Sequence, residues 1–129
     1  MYLPGHAIPF SISVDTSDLV DGTIMVHGLI SYTDRVLIFE IQKTDQSMAK
    51  SETTRHELSL AQIQVVEFKR RVVGSKIFIE TTTIDSLNGL PGTSQNRIGL
   101  FIKRKHRDRV ASFVTHVQIE LTELRLDQM

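Results

Sequence analysis

Lys103, Arg104, Lys105, Arg107 and Arg109 place five permanent cations within seven residues, interrupted only by His106 and Asp108. Residues of this type at this density suit anion binding. The run leads into a segment of helical periodicity, and a helix N-terminus offers free N–H groups and the positive end of a dipole. Exposed cations are disfavoured there by about 0.3–1 kcal/mol each, so their crowding calls for a counter-charge. The plainer alternative is a solvated turn that supplies solubility. A second basic group, Lys69, Arg70 and Arg71, ends a strand-like stretch. Alternation sends Lys69 and Arg71 to one face and Arg70 to the other. Basic residues in such a place also serve simply to block edge-to-edge pairing.

Other chemistry is sparse. Asp15, Asp18 and Asp21 recur every third residue before Gly22, whereas a calcium loop of the EF-hand type needs ligands at positions 1, 3 and 5. They read as turn residues. The five histidines, His6, His27, His56, His106 and His116, form no ligand pair such as HExxH. His116 and Glu120 are i,i+4 neighbours and read as a surface pair. No phosphate loop, nucleophile elbow or paired carboxylates stand out, so no catalytic residue, metal site or cofactor is assigned. Aromatics near the cations amount to Phe68 and Phe101, which argues against nucleic acid.

The wider composition points to one small soluble domain. The chain has 129 residues, 40% of them apolar, with 15 Lys+Arg against 15 Asp+Glu and no cysteine. That length suits one domain. The absence of cysteine excludes disulfides and thiolate chemistry. No apolar stretch approaches the ~20 residues of a membrane span, and MYLPGHAIPF lacks the basic start of a signal peptide. A cytoplasmic location is expected. The zero net charge hides an asymmetry: residues 1–34 hold four aspartates and no Lys or Arg, while residues 97–109 hold six basic residues and one acid.

Period-2 alternation dominates to about residue 103. Residues 10–14 form a short strand. Residues 23–31 (TIMVHGLIS) and 35–42 (RVLIFEIQ), separated by Tyr32, Thr33 and Asp34, form a hairpin. The polar stretch 43–55 reads as an exposed loop, followed by a short half-buried segment, HELSL. Residues 64–72 and 76–83 flank a turn at Gly74, which takes positive φ without steric cost. A second loop, 84–96, contains Asn88-Gly89 and Pro91-Gly92. Residues 97–103 (RIGLFIK) are the last strand. Val110, Phe113, Val114, Val117, Leu121 and Leu124 then fall on one helical stripe, with Asp108 as the expected N-cap.

Up to seven strands and one C-terminal amphipathic helix predict a mainly β domain: a bent antiparallel sheet or partial barrel capped by the helix. The run GLISYTDRVLIFE (Gly28–Glu40) resembles the first hairpin of GRAM and bacterial pleckstrin-homology-like (PH-like) domains, with their Gly-x-x-x-x-Thr-x-x-x-Leu-x-Phe pattern. LSLAQIQVVEFKRR (Leu58–Arg71) is similar to their next segment, and KIFIETTT, RIGLFIK and the helix complete the order. The resemblance implies a PH-like domain over 23–129, with residues 1–22 as an N-terminal arm or extra strand. Many pleckstrin homology domains hold phosphoinositides with a lysine and an Arg-x-Arg around the first hairpin. This hairpin has only Arg35, beside Asp34, so that activity does not carry over.

Val36 and Ile38 on one strand, and Ile119 and Leu126 opposite the main helical stripe, supply second apolar faces suited to a protein partner or a second copy. The expected function is thus a noncatalytic PH-like binding or scaffold domain acting through protein contacts, with self-association. The alternative is a module for acidic lipid headgroups or phosphate at the 103–109 junction. An enzyme with a site of unfamiliar type is the remote third.

Overall fold

Asp34 and Arg35 both take positive φ, 52° and 63°, in the computed structural model. This two-residue turn joins β2 (Thr23–Thr33) to β3 (Val36–Thr44) in full register, Thr33 opposite Val36 and His27 opposite Gln42. Two left-handed central residues give a turn whose twist matches that of the flanking strands. The structure describes residues 6–15, 23–44, 51–71 and 74–128. A side chain in the left-handed region is strained relative to glycine. The Arg35–Asp127 ion pair, at 3.9 Å between exposed groups, offsets little of that strain. Arg35→Gly is therefore expected to raise stability by about 0.5–1 kcal/mol, read as a higher urea midpoint with an unchanged slope.

Among the described residues, seven antiparallel strands form one sheet in the order β4-β3-β2-β1-β7-β6-β5. The remaining strands are β1 (Ile8–Asp15), β4 (Ser51–Ser59), β5 (Ile63–Arg70), β6 (Ser75–Thr81) and β7 (Arg97–Ile102). β1 pairs with β2 along all eight of its residues but meets β7 in register only at Ser11 and Phe101. The first and last strands thus join at the middle of the sheet. A chain-length argument requires the sheet to bend. The edge strands β4 and β5 are linked only by a 3-10 turn, Leu60–Gln62. Laid flat, six strand spacings would separate the edges by about 29 Å. The four residue steps from Ser59 to Ile63 reach at most about 14 Å. A reciprocal cap fixes this short link: Ser59 Oγ accepts from Ala61 N–H at 3.3 Å, and the Gln62 side-chain oxygen accepts from Ser59 N–H at 2.9 Å.

Alternation supplies the inner face. Ile8, Phe10 and Ile12 of β1, Leu37, Phe39 and Ile41 of β3, Ile77 and Ile79 of β6 and Ile98, Leu100 and Ile102 of β7 are buried. The helix α1 (Arg107–Asp127) covers them with Val110, Phe113, Val114, Val117 and Leu121. Two ties set its position. Gln118 Nε2 donates to the Val66 carbonyl at 2.6 Å, and Arg125 donates to the Gln64 carbonyl, both on β5. On the other side the Tyr32 hydroxyl of β2 donates to Glu120 at 3.1 Å. One helix therefore bridges both arms of the bend, which is how a single helix can cap this sheet.

Two local expectations are revised. Much of the polar stretch expected to be a loop at 43–55 is strand: β3 runs on to Thr44, and β4 starts at Ser51 and pairs with β3 through nine residues. Asp108 is not the helix cap. His106 occupies that position without a side-chain cap bond, after a 3-10 turn at Arg104–His106, and Asp108 lies in the first turn of α1. Its charge still complements the helix dipole there. The 84–96 segment carries a 3-10 turn at Ile84–Leu87 and an isolated bridge between Ser94 and Arg97.

Candidate functional site

On the outer face of the sheet, cross-strand register builds a row that no linear spacing reveals. Phe101 of β7 lies opposite Ser11 of β1, Ser11 opposite His27 of β2, His27 opposite Gln42 of β3 and Gln42 opposite Thr53 of β4. These five side chains line a cleft of about 390 Å³, within the size range of small-ligand sites. Pro9, Leu29 and the backbone at Gly28 add apolar wall, and Glu40 adds one carboxylate. Beyond β7 the chain makes a 3-10 turn at Arg104–His106, and Lys103, Lys105 and His106 also line the cleft.

The predicted basic run is thus divided. Lys103 and Lys105 reach the cleft, whereas Arg104, Arg107 and Arg109 are not among its lining residues. Arg109 acts from behind: its terminal nitrogen lies 3.4 Å from His106 Nδ1. Its Nε is buried with no hydrogen-bond partner. Burial, followed by Arg109, Lys105 and Lys103, holds the His106 imidazole below the usual histidine range. A histidine whose pKa is lowered by burial and by neighbouring cations responds to an anion placed among those cations. His27 and His106 were present in the sequence as isolated histidines; only the fold brings both to one cleft.

The second basic group separates as alternation requires. Lys69 sits 5.2 Å from the Phe78 ring centroid on the outer face, while Arg70 lies 5.8 Å from the ring of Phe68, which packs against the core. Arg71 is exposed just beyond the strand. Val36 and Ile38 are half-buried on β3. Ile119 and Leu126 are 53% and 63% exposed on the outer side of α1.

A different polar cluster ties the first hairpin to the helix. Tyr32, Thr33, Asp34, Arg35, His116 and Glu120 surround a recess of about 490 Å³. Glu120 accepts from Tyr32 with one oxygen and lies 3.4 Å from His116 Nε2 with the other. The Tyr32 and His116 rings meet edge-on at 5.5 Å. Burial, then the hydrogen bond to Glu120 and its negative charge, push the Tyr32 hydroxyl above the ordinary tyrosine range, with Arg35 opposing. A folded-state pKa above the unfolded one stabilises fully below the unfolded value, about 10. That contribution is lost as pH climbs toward the folded value. Stability should therefore fall above about pH 10. Tyr32→Phe should flatten that decline in alkaline melts, at a cost of about 1 kcal/mol at neutral pH.

No protein-family model, curated protein or solved structure matches the chain. No helix among the described residues is long and apolar enough to cross a membrane.

Proposed function

We propose that the chain is a noncatalytic binding module of PH-like kind, and that its ligand carries a phosphate or similar anionic group held in the outer-face cleft. The convergence of Lys103, Lys105 and His106 with His27 on that cleft carries the reading. The seven-strand order and the capping helix support the PH-like class. Lysines supply point charges for a phosphate, Ser11, Gln42 and Thr53 offer hydrogen bonds, and Glu40 can accept from a ligand hydroxyl or amine. Saturable binding of pyrophosphate, followed by NMR shifts, tests this. Lys103→Glu with Lys105→Glu should weaken it at least tenfold while leaving the melting temperature unchanged. No saturable shift in the natural sequence, or equal binding by the double variant, ends the reading.

His106 supplies a second readout. Burial is the larger cause of the lowered His106 pKa, and an anion among Lys103, Lys105 and Arg109 offsets the cation repulsion that adds to it. Sulfate, whose own charge does not change near neutral pH, should raise the His106 titration midpoint. By linkage, sulfate should bind more tightly as pH falls through that midpoint. Glu40 and His27 share the cleft, so His106→Gln is the variant that isolates this effect.

A protein-contact reading is favoured by Ile119 and Leu126, seven residues apart on the outer side of α1 and both more than half exposed. It predicts a concentration-dependent mass by sedimentation that Ile119→Lys removes.

A further inference from the structure

The cleft continues into the outer face of β5, β6 and β7. Lys69 of β5 is opposite Lys76 of β6, and Lys76 is opposite Phe101 of β7, the residue that also begins the cleft row. A single line of side chains thus runs Lys69, Lys76, Phe101, Ser11, His27 and on toward β4. One row away, Phe78 lies opposite Gly99, and its ring centroid is 4.5 Å from the Arg97 guanidinium and 5.2 Å from Lys69. Against the expectation from the sequence, which did not place Phe78 beside Phe101, we infer that this track binds single-stranded nucleic acid, with a base stacked on Phe101 and backbone phosphates on Lys69 and Lys76 and on Lys103 and Lys105. The inference rests on the phosphate-binding reading of the cleft and names its ligand.

Three features favour a nucleic acid strand over a membrane headgroup. Phe101 and Phe78 lie down on the sheet: a Cβ at Gly74 would strike the Phe101 ring, and one at Gly99 would come within 3.2 Å of Phe78. Rings held against a sheet present stacking surface, whereas membrane anchors project outward. Cations flank the Phe101 platform in two directions, Lys76 and Lys69 across the neighbouring strands and Lys103 and Lys105 where the chain continues beyond β7. Phosphates before and after a stacked base can thus each meet a cation. Cation–π contacts also hold Lys69 and Arg97 over Phe78, which lowers the entropy lost when they meet a phosphate. Glu80, 3.9 Å from Arg97, offsets part of the Arg97 charge, so Lys69 and Lys76 are the stronger contacts.

Fluorescence anisotropy of a labelled oligothymidylate of about ten nucleotides, a length within the range small sheet domains cover, tests the inference on the full chain at low salt. Saturable binding is expected. With about four phosphates neutralised, the logarithm of affinity should fall against that of salt with a slope near −3. Phe101→Ala should weaken binding about 5- to 150-fold, while Phe101→Tyr keeps the stacking face and most of the affinity. Lys69→Glu with Lys76→Glu, on the exposed outer face and outside the cleft, should weaken the oligonucleotide at least tenfold. The same pair should leave pyrophosphate binding unchanged. If pyrophosphate binds and the oligonucleotide does not, the nucleic-acid inference falls and the cleft reading stands. If neither binds, both fall. Co-sedimentation with phosphatidylserine-containing vesicles, without oligonucleotide binding, overturns the inference in favour of a lipid surface. Oligonucleotide binding untouched by the Lys69/Lys76 pair also overturns the track.

Discussion

Phe113→Ala is expected to remove about 3–5 kcal/mol of stability, a large share of the roughly 5–15 kcal/mol typical of a domain this size. Phe113 is fully buried at the centre of the stripe formed by Val110, Val114, Val117 and Leu121. Two causes add. The lost ring surface is no longer withdrawn from water. The cavity also cannot close easily, because the β5 carbonyls and the β2 hydroxyl fix the helix on both sides through Gln118, Arg125 and Glu120. A helix free to settle would recover part of the loss; one tied to both arms of a bent sheet recovers little. The melting temperature should fall by roughly 10–20 °C. Ile119→Ala is the control. It lies on the same helix but is 53% exposed, and its change should stay within about 0.5 kcal/mol. Equal losses from the two variants would mean that the helix presents a different face to the sheet.

Residues whose burial follows their own periodicity were legible in the sequence. Ile77 and Ile79 inside, with Phe78 outside, follow from alternation alone, and so does the division of Lys69 from Arg70. The helical stripe is equally direct: five of its six expected residues are buried and Leu124 is partly buried against them. Only the end of β4 was legible, as the short half-buried segment HELSL, and its first part was hidden for a physical reason. Among its residues from 53 to 59 only Leu58 is buried; the strand exists because its backbone pairs with β3 along nine residues, and backbone pairing leaves no apolar pattern.

The site was legible only in part. The cluster at 103–109 announced its cations, but which of them reach a common cleft depends on a 3-10 turn that redirects the chain before α1 begins. The rest of the cleft comes from register. Ser11, His27, Gln42 and Thr53 are far apart in sequence, and each is placed by a hydrogen-bonded partner strand. The same holds for the aromatic surface. Phe68 and Phe101 were the only aromatics the sequence set near the cations, too few to suggest base stacking. Phe68 turns toward the core, and Phe78, on the strand beside β7, shares the outer face with Phe101.

Gly28→Val should cost about 3 kcal/mol or more, although valine ordinarily favours a strand over glycine. The sign is decided by space. A Cβ at Gly28 would stand 2.6 Å from the Glu40 carbonyl oxygen and 2.6 Å from Phe10 Cζ. Phe10 is buried and meets Phe39 edge-on at 6.3 Å, so its ring has little room to yield. The Glu40 oxygen is backbone on the neighbouring strand, so relief on that side means moving β3 away from β2. Forcing extra atoms into a packed interior costs about 1–3 kcal/mol, and more where backbone must shift. The functional consequence differs from that of Phe113→Ala. Gly28, Leu29 and Glu40 all line the cleft, so a parted β2–β3 pair changes the site itself, whereas a hole under α1 leaves the outer face in place. At a temperature where both variants remain folded, Gly28→Val should lose pyrophosphate binding and Phe113→Ala should retain it. If Gly28→Val binds as the natural sequence does, the ligand does not use the β2–β3 wall. The anion would then be held by the 103–106 turn alone.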